Sequence, residues 1–123
     1  MRPSTKSVPP PKPADVIVAD KSPLVISGLR QLIAGDKRFR VVATAADGRA
    51  FLTEIRKRTI DVGVIGWEMP FADGRVVLEA LRSMEKPPPV VVYTGTIDPS
   101  VPRQVMALGG AGFVSKSEPP EHL

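Results

Sequence analysis

Five residues of this chain are placed to do chemistry together: Asp20, Lys21, Gly66, Thr94 and Lys116. Each stands at or just beyond the end of a short apolar run, namely Val16 to Ala19, Val62 to Ile65, Val90 to Tyr93 and Ala111 to Val114. If those runs are parallel strands, their carboxyl ends converge where open α/β sheets hold ligands. The set brings one carboxylate, two ammonium groups, one hydroxyl and one residue with no side chain. Lys21 and Lys116 could hold an anion between them. Plainer uses also exist: Asp20 as a helix-start residue, Lys116 as its structural ion-pair partner, and Thr94-Gly95-Thr96 as turn chemistry. The chain has no cysteine, which excludes a thiol nucleophile, a disulfide framework and a thiolate metal site. His122 stands alone and carries no signal.

The elements that must position these residues follow from periodicity. Residues 1–14 are rich in Pro, Ser and Lys, which reads as a disordered leader before a domain over residues 15–123. Val16 to Ala19 reads as a buried strand. Ser22-Pro23 offers a helix cap followed by proline at the first helical position, with Val25, Leu29, Leu32 and Ile33 at helical spacing. Phe39 to Thr44 is the second strand. Asp47 caps a helix whose apolar residues Phe51, Leu52 and Ile55 share a face, and Val62 to Ile65 is the third strand. Asp73 caps a helix carrying Val77, Leu81 and Met84, which Lys86-Pro87-Pro88-Pro89 ends. Val90 to Tyr93 is the fourth strand. A helix starts at Asp98-Pro99, carries Val101, Val105 and Leu108, and stops at Gly109-Gly110. Ala111 to Val114 is the fifth strand. Strands alternating with single helices argue for a parallel sheet covered on both faces. After the last strand only Ser117 to Leu123 remain, so a closing helix is expected to be truncated or absent.

Composition sets the bounds. The 123 residues make one domain, with 42% hydrophobic and 24% charged residues, ordinary for a globular protein. The apolar runs fall far short of the ~20 residues that span a bilayer, and no signal peptide is legible. The expected location is the cytoplasm, with no membrane partner. The net charge of +4 invites a nucleic-acid reading. Against it, Arg2, Lys6 and Lys12 lie in the leader, and Arg56, Lys57 and Arg58 close a helix, where cations suit the dipole. One Trp and one Tyr make no stacking platform for bases.

The run Asp61-Val62-Gly63-Val64-Ile65-Gly66-Trp67-Glu68-Met69-Pro70, with Asp73-Gly74, joins the other strand ends in a pattern that resembles the receiver domain of bacterial two-component response regulators. Ala19-Asp20-Lys21-Ser22-Pro23-Leu24-Val25 through Gly28-Leu29, Ala45-Ala46-Asp47-Gly48, and Lys116 followed by serine are similar to its NarL/FixJ-like group. The resemblance implies a flavodoxin-like, doubly wound five-stranded parallel sheet of order 2-1-3-4-5. It also implies a site where two acidic residues after the first strand and an acceptor aspartate after the third hold magnesium. A Thr or Ser after the fourth strand and a Lys after the fifth would bind phosphoryl oxygens. Asp20, Thr94 and Lys116 match that pattern. Lys21 falls on the second acidic position and Gly66 on the acceptor. Phe113 holds the position of the aromatic that moves with the hydroxyl on switching.

Magnesium favours hard oxygen ligands, and the acceptor chemistry needs a carboxylate nucleophile. An ammonium at Lys21 opposes a divalent cation, so the expectation is no cofactor, no acyl phosphate at position 66 and no enzymatic activity. Glu68 either turns into the vacant pocket, pairing with Lys21 or Lys116 as a permanent negative charge, or points to solvent. Trp67 either caps the pocket or covers apolar surface. The expected function is an atypical receiver that regulates signalling or transcription through a homodimer or another protein partner. DNA would be reached only through a C-terminal helix-turn-helix domain that these residues do not include. The alternatives are a receiver phosphorylated on a substitute acid, Asp20 or Glu68, and a module that senses an anion or small molecule.

Overall fold

An apolar run such as Val16 to Ala19 needs cover on both faces, and the computed structural model supplies it. The structure describes residues 12–95 and 98–115. Nine elements alternate along the described residues: β1 (Ala14–Ala19), α1 (Pro23–Ala34), β2 (Phe39–Ala45), α2 (Gly48–Lys57), β3 (Val62–Ile65), α3 (Gly74–Arg82), β4 (Val90–Thr94), α4 (Ser100–Ala107) and β5 (Gly112–Ser115). The five strands form one sheet in the order β2-β1-β3-β4-β5, and every neighbouring pair is parallel. The order and the alternation are those read from the sequence. Strand ends differ by one or two residues, because a ladder continues wherever a partner is in register. The leader read for residues 1–14 lies outside the described residues up to position 11, and Ala14 already pairs with Phe39. The shortened closing helix read beyond Ser117 also lies outside the described residues.

The sheet divides the apolar side chains into two clusters by their period of two. Ile17, Ala19 and Ile65 face a layer from α2, α3 and α4, which contributes Phe51, Leu52, Ile55, Val77, Leu78, Leu81, Val101 and Val105. Val16, Val18, Val64 and Tyr93 face the other way, against Leu29 of α1. Phe51 is fully buried, so truncating it would remove roughly 3–5 kcal/mol. α1 is held more lightly, with Leu29 its one fully buried residue and Val25, Ile26 and Ile33 half-buried.

Three helices start as their sequences dictate. Val25 N–H donates to Ser22 Oγ at 3.3 Å, Ala50 N–H to Asp47 Oδ1 at 2.7 Å, and Val76 N–H to Asp73 Oδ1 at 3.0 Å. Each satisfies a donor that the helix itself cannot, worth about 1 kcal/mol. α4 is different. Pro99 precedes it without a side-chain cap bond, and Asp98 Oδ1 accepts from Ser100 N–H at 2.9 Å instead. Gly109, with φ of 88°, ends that helix in the left-handed conformation glycine tolerates.

The β3–α3 loop carries a strained residue. Phe71 has φ of 65°, and Ala72 N–H donates to Pro70 O at 2.7 Å across it, the rare positive-φ form of γ-turn. The ring is 75% exposed and is covered by the Arg49 guanidinium at 4.4 Å from its centroid. A left-handed backbone costs a non-glycine residue about 1–2 kcal/mol. Glycine would remove that cost, lose the exposed cation–π contact of about 0.5 kcal/mol and add some chain entropy. Phe71→Gly is therefore expected to raise stability by about 0.5 kcal/mol, read as a higher urea midpoint at unchanged slope. A lower midpoint would show that the Arg49 stack outweighs the backbone strain.

Candidate functional site

The parallel ladder brings the carboxyl ends of β1, β3, β4 and β5 to one edge of the sheet. Asp20 is the first residue beyond β1 and is only 1% exposed. Its amide donates to Ala45 O at 3.1 Å, and its Oδ1 accepts from Ser22 N–H at 3.1 Å. The carboxylate thus ties the end of β1 to the start of α1. Gly66 follows β3, is buried, and donates its amide to Ala19 O at 2.9 Å. The two residues face each other closely. A Cβ built on Gly66 would stand 3.1 Å from Asp20 Oδ2 and 3.3 Å from its Cγ. Any side chain at position 66 would start out toward that carboxylate.

Thr94 ends β4 with 2% exposure and pairs in register with Ser115, the last residue of β5. Phe113 lies opposite Val92 in that ladder and packs half-buried against the cluster under α2, α3 and α4. Lys116, expected to complete the site, lies outside the described residues. Asp20 and Gly66 thus approach each other closely, and Thr94 is enclosed at the end of β4. Lys21 and Glu68 are exposed, and Lys21 enters no ion pair among the described residues. Trp67 is half-buried against the core and lies over the start of α3, where a Cβ on Gly74 would come within 2.8 Å of its Cε3. Gly74 N–H donates to Trp67 O at 2.7 Å, closing the loop beneath the ring.

The basic surplus is partly spent in local pairs. Arg40 Nε donates to Asp15 Oδ1 at 2.6 Å across β1 and β2, and Arg38 pairs with Asp36 at 2.7 Å. The hydrogen bond from Arg38 holds the Asp36 carboxyl down at about 2, and that from Arg40 lowers Asp15. Arg58 reaches Glu54 at 3.4 Å and Arg75 reaches Glu79 at 3.7 Å. Exposed pairs like these add little stability.

Two features were not anticipated from the sequence. One is the Arg49–Phe71 stack, whose partners are far apart in the chain and whose γ-turn has no glycine to announce it. The other is an open cleft of about 780 Å³ between α1 and the end of β2, bordered by Asp20, Lys21, Arg30 and Thr44. Its only sequence signal is the polar face of α1, which periodicity assigns to solvent.

The comparisons with known proteins agree with this geometry. The family model described as the response regulator receiver domain matches residues 16–123. The Probable transcriptional regulatory protein NarL of Mycobacterium tuberculosis is 34% identical over 110 residues, covering 89% of this chain and 51% of that protein. The Probable transcriptional regulatory protein SgaR of Hyphomicrobium methylovorum is 31% identical over 109 residues, covering 89% and 52%. This chain thus spans about half the length of these relatives. The solved signal receiver domain of NarL from Mycobacterium tuberculosis superposes with a TM-score of 0.84 at 32% identity, covering 89% of both chains. The isolated receiver domain of RcsB from Salmonella enterica, at 24% identity and a TM-score of 0.81, shares the fold. Strand order, the enclosed Asp20 and Thr94, and a family match over nearly the whole domain agree: the chain belongs to the response regulator receiver domain family, in its NarL-type branch.

Proposed function

We propose that this chain is a receiver module that regulates by protein association, without conventional aspartyl phosphorylation. One observation carries the reading. The Cα–Cβ direction at Gly66 aims at the Asp20 carboxylate from 3.1 Å, which is where an acceptor side chain would have to start, and glycine supplies none. The residues present do not fit magnesium. Of the three carboxylates the family uses, Asp20 alone remains, next to the Lys21 ammonium, and hard divalent cations need more oxygen ligands than that. Among the described residues no group of three acidic or imidazole side chains could hold a metal. A substitute acceptor is also poorly served: Asp20 is enclosed and tied to Ser22 N–H, while Glu68 is exposed.

The output would be set by a homodimer or another protein partner. Large exposed apolar side chains are available for that, with Leu24 at 82% and Met106 at 59% exposure. Control of transcription is proposed for the whole protein, because relatives named as transcriptional regulators are about twice as long as this chain. DNA would be contacted by a helix-turn-helix domain outside this chain. No enzymatic activity is proposed, and the location proposed is the cytoplasm. Among the described residues no helix is long and apolar enough to cross a membrane.

The reading is tested by sedimentation over a range of concentrations, with and without acetyl phosphate and magnesium. The expected distributions superimpose under the two conditions. A phosphodonor-dependent shift toward dimer would contradict the proposal.

A further inference from the structure

The cleft between α1 and β2 adjoins the receiver site and shares Asp20 and Lys21 with it, extending away from β3 along α1. Its lining includes the apolar side chains of Ile26 and Ala34 of α1 and of Ala45 at the end of β2. Two cations also line it, Lys21 before the helix and Arg30 two turns into it. Both are exposed, and neither enters an ion pair among the described residues. Ser27, Gln31 and Thr44 add neutral hydrogen-bonding groups. The one carboxylate on the lining is Asp20, at the buried end and engaged with Ser22 N–H. Its charge disfavours an anion beside it and favours one at the exposed Lys21 and Arg30. The cleft has a volume of about 780 Å³ and is open to solvent along its length.

We propose that this cleft binds a small organic anion, a carboxylate or phosphate monoester between Lys21 and Arg30 with a short apolar body against Ile26, Ala34 and Ala45. Charge complementarity selects the head group, and burial of the apolar body supplies the affinity that an exposed ion pair alone lacks. The inference does not depend on whether position 66 is phosphorylated, because none of the binding groups comes from β3. It would give the module a chemical input next to the strand ends.

The test is an amide chemical-shift titration of the isotope-labelled full chain with benzoate, phenyl phosphate, inorganic phosphate and benzyl alcohol. Benzoate or phenyl phosphate is expected to shift the signals of Ser27, Arg30, Gln31 and Ala46 saturably, with a dissociation constant on the order of millimolar. The tighter of the two identifies the head group. Inorganic phosphate should bind more weakly, for lack of an apolar body, and benzyl alcohol, for lack of charge. Arg30→Gln and Lys21→Gln, both at exposed positions, should each weaken binding by roughly fivefold to tenfold while leaving the circular dichroism unchanged. The proposal is overturned if no saturable shift occurs, if shifts centre elsewhere, if benzyl alcohol matches benzoate, if inorganic phosphate matches phenyl phosphate, or if the two substitutions leave affinity unaltered.

Discussion

The double variant Lys21→Asp/Gly66→Asp is expected to melt at a temperature that rises with magnesium, while the natural chain melts at the same temperature with or without it. The new side chain at position 66 would begin 3.1 Å from Asp20 Oδ2, and Lys21→Asp would replace an ammonium with a third carboxylate at the same strand end. Without metal, like charges at such a separation repel, so the variant is expected to be less stable than the parent chain. With magnesium the same carboxylates become ligands. A ligand that binds only the folded state adds about 1.4 kcal/mol at a tenfold excess over its dissociation constant. For a domain of this size that is a shift of several degrees. The variant should also acquire a phosphoryl mass increment from acetyl phosphate. A magnesium-independent melt would show that positions 20, 21 and 66 do not converge, and the assignment of Gly66 to the acceptor position would fail with it.

Gly48→Ala is expected to cost about 3 kcal/mol or more, although helix propensity alone favours alanine by roughly 1 kcal/mol. Gly48 is the first residue of α2 and is buried against the β3–α3 loop. A Cβ there would fall 1.9 Å from Ala72 O and 2.8 Å from Val77 Cγ2. No rotamer change relieves a clash with a backbone carbonyl, so either α2 or the loop carrying Met69 and Phe71 must move. Urea unfolding of the variant gives the sign directly. A stability equal to or above that of the parent would mean that the loop is free to retreat and that Gly48 is a propensity defect rather than a packing requirement.

The frame was legible because local signals and global fold agree. Ser22, Asp47 and Asp73 each announce a helix and each caps one. The third strand, Val62 to Ile65, was read with its observed bounds, since polar or small residues flank a short β-branched run. The fourth helix was harder. Asp98-Pro99 has the form of a cap, yet the helix begins at Ser100 with Pro99 in helical geometry.

What the sequence withheld depends on through-space contact. Nothing local distinguishes Gly48, which touches Ala72 O, from Gly28, which meets nothing within 4 Å. Phe71 has no local reason to adopt positive φ. At the strand ends, residue types were readable but not enclosure: Asp20 and Thr94 are buried while Lys21 and Glu68 are exposed. Burial of this kind depends on the packed neighbours and not on residue type.

The natural chain is expected to take no phosphoryl group on an aspartyl side chain, which intact-mass spectrometry after incubation with acetyl phosphate and magnesium reads out. The expected spectrum shows the unmodified mass alone, the same as without the phosphodonor. A stoichiometric, hydroxylamine-labile phosphoryl adduct would instead place the acceptor on another carboxylate and make this a switchable receiver.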